Sequence, residues 1–169
     1  MPQPRRVRPT ASWLRDPGHF LALGGGSGLA PFAPGTWGSL VGLALYLLVA
    51  GLPLAVYAAL LLGLFLLGVW LCGRTARALG SADPGAIVLD EVVGMMMTVT
   101  FCSTGVFGAL VGFALFRCFD ILKPWPVRLA DREVAGGLGI MLDDVVAAVY
   151  ASACLEIFEY LSLSYRIIQ

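Results

Sequence analysis

RCFDILKPWPVRLADREVAGGLGIMLDD, from Arg117 to Asp144, is polar and broken by proline and glycine, yet long apolar segments flank it on both sides. It sets Arg117, Lys123, Arg128 and Arg132 against Asp120, Asp131, Glu133, Asp143 and Asp144, four basic residues and five acidic ones. Acids and bases gathered at the edge of a membrane segment cost free energy unless they are paired or used, so the stretch points to a site. Carboxylates in slight excess suit a hard cation, and Arg with Lys beside them suits a phosphate. The plainer alternative is a loop with snorkelling arginines and a capped helix start.

The rest of the chain explains why that edge is a membrane edge. Of 169 residues, 59% are apolar and only 13% charged, and the mean hydropathy is +0.85. A soluble domain is about half apolar and a quarter charged, so this composition indicates an integral membrane protein of one domain. The expected fold is all-α: a polytopic membrane helix bundle of about four to five spans. Residues 1–19 form a basic arm, poorly ordered up to Arg15 and placed on the cytoplasmic side, and 20–169 form a single membrane domain. Pro4 to Arg15 is basic, but no apolar core with a small-residue cleavage site follows, so no signal peptide is expected. Cys72, Cys102, Cys118 and Cys154 show no CxxC spacing, which argues against a zinc site or a disulfide framework.

Working outward, Met141 to Leu163 reads as the last span, with Asp143 and Asp144 in its first turn. Thr104 to Leu122 is the span before it, and Lys123-Pro-Trp-Pro ends that helix with Trp125 at the interface. Val92 to Cys102 is a weak span opened by Asp90-Glu91. Leu40 to Leu52, short enough that it must borrow from Thr36 to Ser39, and Leu54 to Cys72 form a helical hairpin around Gly51-Leu-Pro53, closed by Arg74 and Arg77. GGGSGLAPFAPGTWGS, Gly24 to Ser39, is too rich in Gly and Pro for an ordinary span. It reads as a loop of the re-entrant kind, which a bilayer tolerates only where protein or water satisfies the backbone. Ten of the eleven basic residues fall in the arm, after the second span or between the last two. The positive-inside rule then puts the Gly-rich loop, Asp90-Glu91 and the Arg117–Asp144 stretch together on the cytoplasmic face.

Each motif carries chemistry beside a structural alternative. Arg117, Asp120 and Lys123 are spaced i, i+3, i+6, which makes either a phosphate-binding stripe or an ion-pair ladder. Asp143-Asp144 and Asp90-Glu91 supply either metal-binding carboxylates or helix-start acids favoured by the dipole. The glycines of GGLG allow backbone to approach a ligand. Ser27, Thr36 and Ser39 offer hydroxyls to a phosphate cradled by the Gly-rich loop. That loop is not a Walker A motif, since no Gly-Lys-Ser/Thr follows.

Absences narrow the reaction. No cysteine has an arginine six positions on, the only histidine is His19, and Asp90-Glu91 is not an Asp-x-Asp pair. Cysteine, paired-histidine and aspartyl-phosphate phosphatase chemistries are thereby set aside. Carboxylates, a metal and basic phosphate ligands remain, with either an activated water or a carboxylate as nucleophile.

Three segments carry a resemblance: GGGSGLAPFAPGTWGSL (Gly24–Leu40), IVLDEVVGM (Ile87–Met95) and FRCFDILKPWPVRLADREVAGGLGIMLDDVVA (Phe116–Ala147). In order and spacing the chain resembles the phosphatidylglycerophosphatase A family. The resemblance implies a Mg²⁺-dependent enzyme of the bacterial inner membrane. Such an enzyme removes the terminal phosphate of phosphatidylglycerophosphate in phospholipid biosynthesis. On this reading Glu91, Asp120, Asp143 and Asp144 hold the metal, with Asp90 close behind, and the catalytic base or nucleophile is one of these five. Arg117, Lys123 and Arg128 hold the phosphate. A headgroup phosphotransferase, whose DGxxAR signature is absent here, and a small transporter with a polar gate are the competing classes.

Overall fold

The computed structural model describes residues 7–81, 84–125, 127 and 134–168, with side chains to Ser164. Arg128 and the acids and bases from Asp131 to Glu133 lie outside the described residues. A short 3₁₀ turn (Ala11–Arg15) leads into α1 (Pro17–Ala22), a second 3₁₀ segment (Gly24–Leu29) and α2 (Pro34–Val49). Then come α3 (Leu54–Leu79), α4 (Leu89–Thr98), α5 (Gly105–Leu122) and α6 (Gly136–Ile168). Among the described residues there is no strand.

Three helices are long and apolar enough to cross a membrane: α3, α5, and α6 as far as Ser164. At 16 residues, α2 is shorter. The third expected span is not one. α4 has ten residues, about 15 Å of helix, half of what the hydrocarbon core requires. It is instead the centre of the bundle, packed on by α2, α3, α5 and α6 and buried on nearly every side.

Small residues let the neighbours close on it. A Cβ at Gly38 of α2 would lie 2.7 Å from Val88 Cβ, and one at Gly42 would lie 2.5 Å from Val92 O. On α4 itself, Gly94 is covered by the Phe116 ring of α5. The end of α4 inside the bundle leaves carbonyls that lipid cannot satisfy. Tyr57 Oη donates to Met96 O at 2.8 Å, and Ser152 Oγ donates to Thr98 O at 3.2 Å.

Two boundaries differ from the sequence reading. The Gly-rich stretch is not one loop, because Pro34 at the first turn starts α2 and places Thr36 and Ser39 inside a helix. α6 starts five residues before Met141, so GGLG is helical and Asp143 and Asp144 sit in its third turn. Glycine is required there for packing: a Cβ on Gly137 would strike the carbonyl of Val69 in α3.

Part of the expected arm is docked. Asp16 caps α1 by accepting from Gly18 N (2.8 Å) and His19 N (3.1 Å), and it pairs with Arg74 of α3 at 2.7 Å. The hydrogen bond from Arg74, helped by the His19 amide, holds the Asp16 carboxyl below its ordinary range. His19 Nδ1 lies 2.9 Å from Thr75 Oγ1, and Val88 N donates to Ala22 O. Trp37, Trp70 and Trp125 are exposed on segments that meet at this same end of the bundle, as interfacial tryptophans do.

Candidate functional site: a buried carboxylate cluster

Four helices bring polar residues to one end of the bundle. The first turn of α4 contributes Asp90 and Glu91, and the third turn of α6 contributes Asp143 and Asp144. The last turns of α5 bring Arg117 and Asp120, with Lys123 at its C-cap, while the first turns of α2 bring Gly35 and Ser39. One oxygen each from Asp90, Glu91 and Asp144 lies within 4.8 Å of the other two. Asp90 and Asp144 are 8% and 3% exposed.

Asp90 Oδ1, Glu91 Oε2 and Asp144 Oδ2 are buried and make no hydrogen bond among the described residues. Buried carboxylate oxygens are costly to leave unpaired, and three such acids together repel one another. The α4 dipole favours Asp90 and Glu91 but falls off within the first turn. It gives nothing to Asp144 in the third turn of α6, so helix capping does not account for that residue. A hard divalent cation does fit the donor set, which is all oxygen, crowded and otherwise unsatisfied.

The other two acids are arranged differently. Asp120 is ion-paired to Arg117 on its own helix and lies beside Asp144. Asp143 is paired with Lys123 at 2.6 Å. Lys123 itself has φ 42°, a left-handed conformation that costs a non-glycine residue roughly 1 kcal/mol. Strain of this kind gathers where a side chain must be aimed. The structure thus brings Asp90, Glu91, Asp120, Asp143, Asp144, Arg117 and Lys123 to one place.

Two of the three hydroxyls are engaged within their own segments. Ser27 Oγ donates to Gly24 O at 2.9 Å, and Ser39 Oγ donates to Gly35 O at 2.9 Å. Thr36 is half-buried in the first turn of α2. Two residues escaped the sequence reading. Gly35 is one: a Cβ there would collide with Glu91 Oε1 and sit 3.1 Å from Arg117 Nη1. Glu159 is the other, and an acid inside an apolar span was signal enough to find it.

The sequence profile of phosphatidylglycerophosphatase A matches residues 20–159, which takes in every one of these groups. The chain belongs to the phosphatidylglycerophosphatase A family. It is 40% identical over 156 residues to the phosphatidylglycerophosphatase A of Escherichia coli K12, covering 92% of this chain and 91% of that protein. It is 44% identical over 149 residues to the Haemophilus influenzae protein of the same name, covering 87% and 91%. A Bacteroides thetaiotaomicron protein, named provisionally as a phosphatidylinositol-3-phosphatase, is 39% identical over 140 residues, covering 78% and 87%. No solved structure matches this member of the phosphatidylglycerophosphatase A family.

Proposed function

We propose that the chain hydrolyses the terminal phosphomonoester of phosphatidylglycerophosphate, releasing phosphatidylglycerol and inorganic phosphate, as a Mg²⁺-dependent step of phospholipid biosynthesis. The observation that carries the reading is the cluster of Asp90, Glu91 and Asp144, each with a buried oxygen that has no partner among the described residues, beside two cationic side chains in a membrane bundle. These three acids would hold the Mg²⁺. When bound, the ion supplies positive charge against the negative charge that builds on the phosphoryl oxygens.

The other steps belong to the chain's own side chains. Arg117 and Lys123 bind the phosphate oxygens, each kept in place by an acid, Asp120 and Asp143 respectively. Water supplies the oxygen that attacks phosphorus, the ester bond breaks, and the glycerol oxygen leaves with a proton. The proton is handled by one of the five acids at the site. The distribution of basic residues supports a bacterial inner-membrane protein with this end in the cytoplasm.

The Bacteroides relative supports one competing substrate, phosphatidylinositol 3-phosphate, which is also a phosphomonoester on a lipid headgroup. Purified protein in mixed micelles is to be given each lipid, with and without EDTA, and phosphate release followed. The expected result is Mg²⁺-restorable release, with the higher kcat/KM on phosphatidylglycerophosphate. A higher value on the phosphoinositide reassigns the substrate. No release from either lipid removes the phosphatase reading in favour of a transferase or transporter.

A further inference from the structure

We infer that Ser39 is a positioning residue for Arg117 and not itself a ligand to phosphate, an inference that rests on Arg117 being a phosphate contact. Ser39 is fully buried in α2, one turn beyond Gly35. Its hydroxyl has a single proton, which goes to Gly35 O at 2.9 Å. What remains is acceptor capacity, and Arg117 Nη1 donates to it at 3.4 Å. Donating to a phosphate oxygen would require Ser39 to give up the bond to its own helix.

The arginine needs such a stop. Nη1 also donates to Asp120, but Asp120 lies three residues along the same helix and turns with it. Ser39 belongs to a different helix, one whose register on α4 is set by the close contacts at Gly38 and Gly42. Gly35 completes the seat, because any side chain there would press on both Glu91 and Arg117. Nε of Arg117 is buried and has no partner among the described residues. Holding the Nη1 edge against α2 therefore leaves the Nε edge for an incoming anion and keeps the guanidinium from turning onto the neighbouring carboxylates.

The test is a double-mutant cycle read by competitive inhibition with inorganic phosphate, using Ser39→Ala, Arg117→Lys and the double variant in the Mg²⁺-supplemented enzyme. Ser39→Ala nearly preserves volume and Arg117→Lys keeps a cation for Asp120, so both are expected to fold, which a melting curve checks. The expected result is about a tenfold rise in Ki for phosphate on Ser39→Ala, the scale of one hydrogen bond to a charged group. In the Arg117→Lys background the same change should add less than about twofold. Ser39→Thr, which keeps the hydroxyl, should restore the wild-type Ki, though the cycle stands without it. Equal factors in both backgrounds would overturn the inference, because Ser39 would then act on phosphate directly. A silent Ser39→Ala beside a weakened Arg117→Lys also overturns it while leaving Arg117 as the phosphate contact. An Arg117→Lys variant with unchanged Ki removes that contact, and the inference with it.

Discussion

Asp144 and Glu159 are two acids on one apolar helix, about 22 Å apart along its axis, and their surroundings differ completely. Asp144 crowds against Asp90 and Glu91 with an oxygen that has no partner among the described residues. Glu159 lies nearer the surface, 7% exposed, and it accepts from Ser103 N, Ser103 Oγ, Thr104 N, Thr104 Oγ1 and Cys102 Sγ. Those donors form the connection between α4 and α5, irregular backbone that must be satisfied from within the protein. Both residues look alike in the sequence, as acids in an apolar run. What separates the two is whether the fold has already met the carboxylate's demand.

The sharpest way to break the comparison is Asp144→Asn. It removes the charge a cation needs while relieving repulsion from the two neighbouring acids. Turnover should fall by about 10³-fold, the scale of losing a group that acts in the transition state. Melting in EDTA should hold or rise. A variant that melts well below wild type in EDTA would make Asp144 a brace like Glu159, and near-normal turnover would mean the wrong acid was chosen.

Glu159→Gln should do the opposite. Its amide keeps one accepting oxygen but puts an NH₂ where the second carboxylate oxygen now accepts, facing donors, so about 1–3 kcal/mol of stability should go, with turnover per folded molecule retained. Denaturation in detergent alongside active-site titration separates the two quantities. Loss of turnover at unchanged stability would turn the far end into a second functional site.

Lys123→Met tests the boundary between the two behaviours, since Lys123 is paired yet sits beside the cluster. Affinity for phosphate should drop about tenfold, the loss of one charge-assisted contact, while protection from melting by Mg²⁺ survives. If Mg²⁺ protection disappears as well, the cation and phosphate sites are not separable.

Much of this was legible in the chain. The apolar runs located α3 and α5, and the acids at positions 90, 91, 120, 143 and 144 and the bases at 117 and 123 were singled out by type and place. Their partners were not legible. Reading Asp143 and Asp144 as a first-turn pair failed because Gly136 to Gly139 looked like a loop. Only contact with Val69 and Gly73 of α3 shows that those glycines are helical and close-packed. α4 read as a weak span because its true end is set by Tyr57 and Ser152, distant in sequence and invisible to any local pattern. For Ser39 the residue type gives a hydroxyl but not the direction of its proton, which goes to Gly35 O.

The shortness of α4 also dictates an order of assembly. Ten residues carrying two acids neither reach across a bilayer nor satisfy their own terminal carbonyls there. Tyr57, on α3, is already made when α4 emerges, but Ser152 and Glu159 arrive only with α6, two helices later. Until then α4 rests on α2, α3 and α5, and its Thr98 carbonyl lacks the Ser152 partner. The helix that supplies this partner also delivers Asp144, so docking of α6 closes the end of α4 and assembles the acid cluster together.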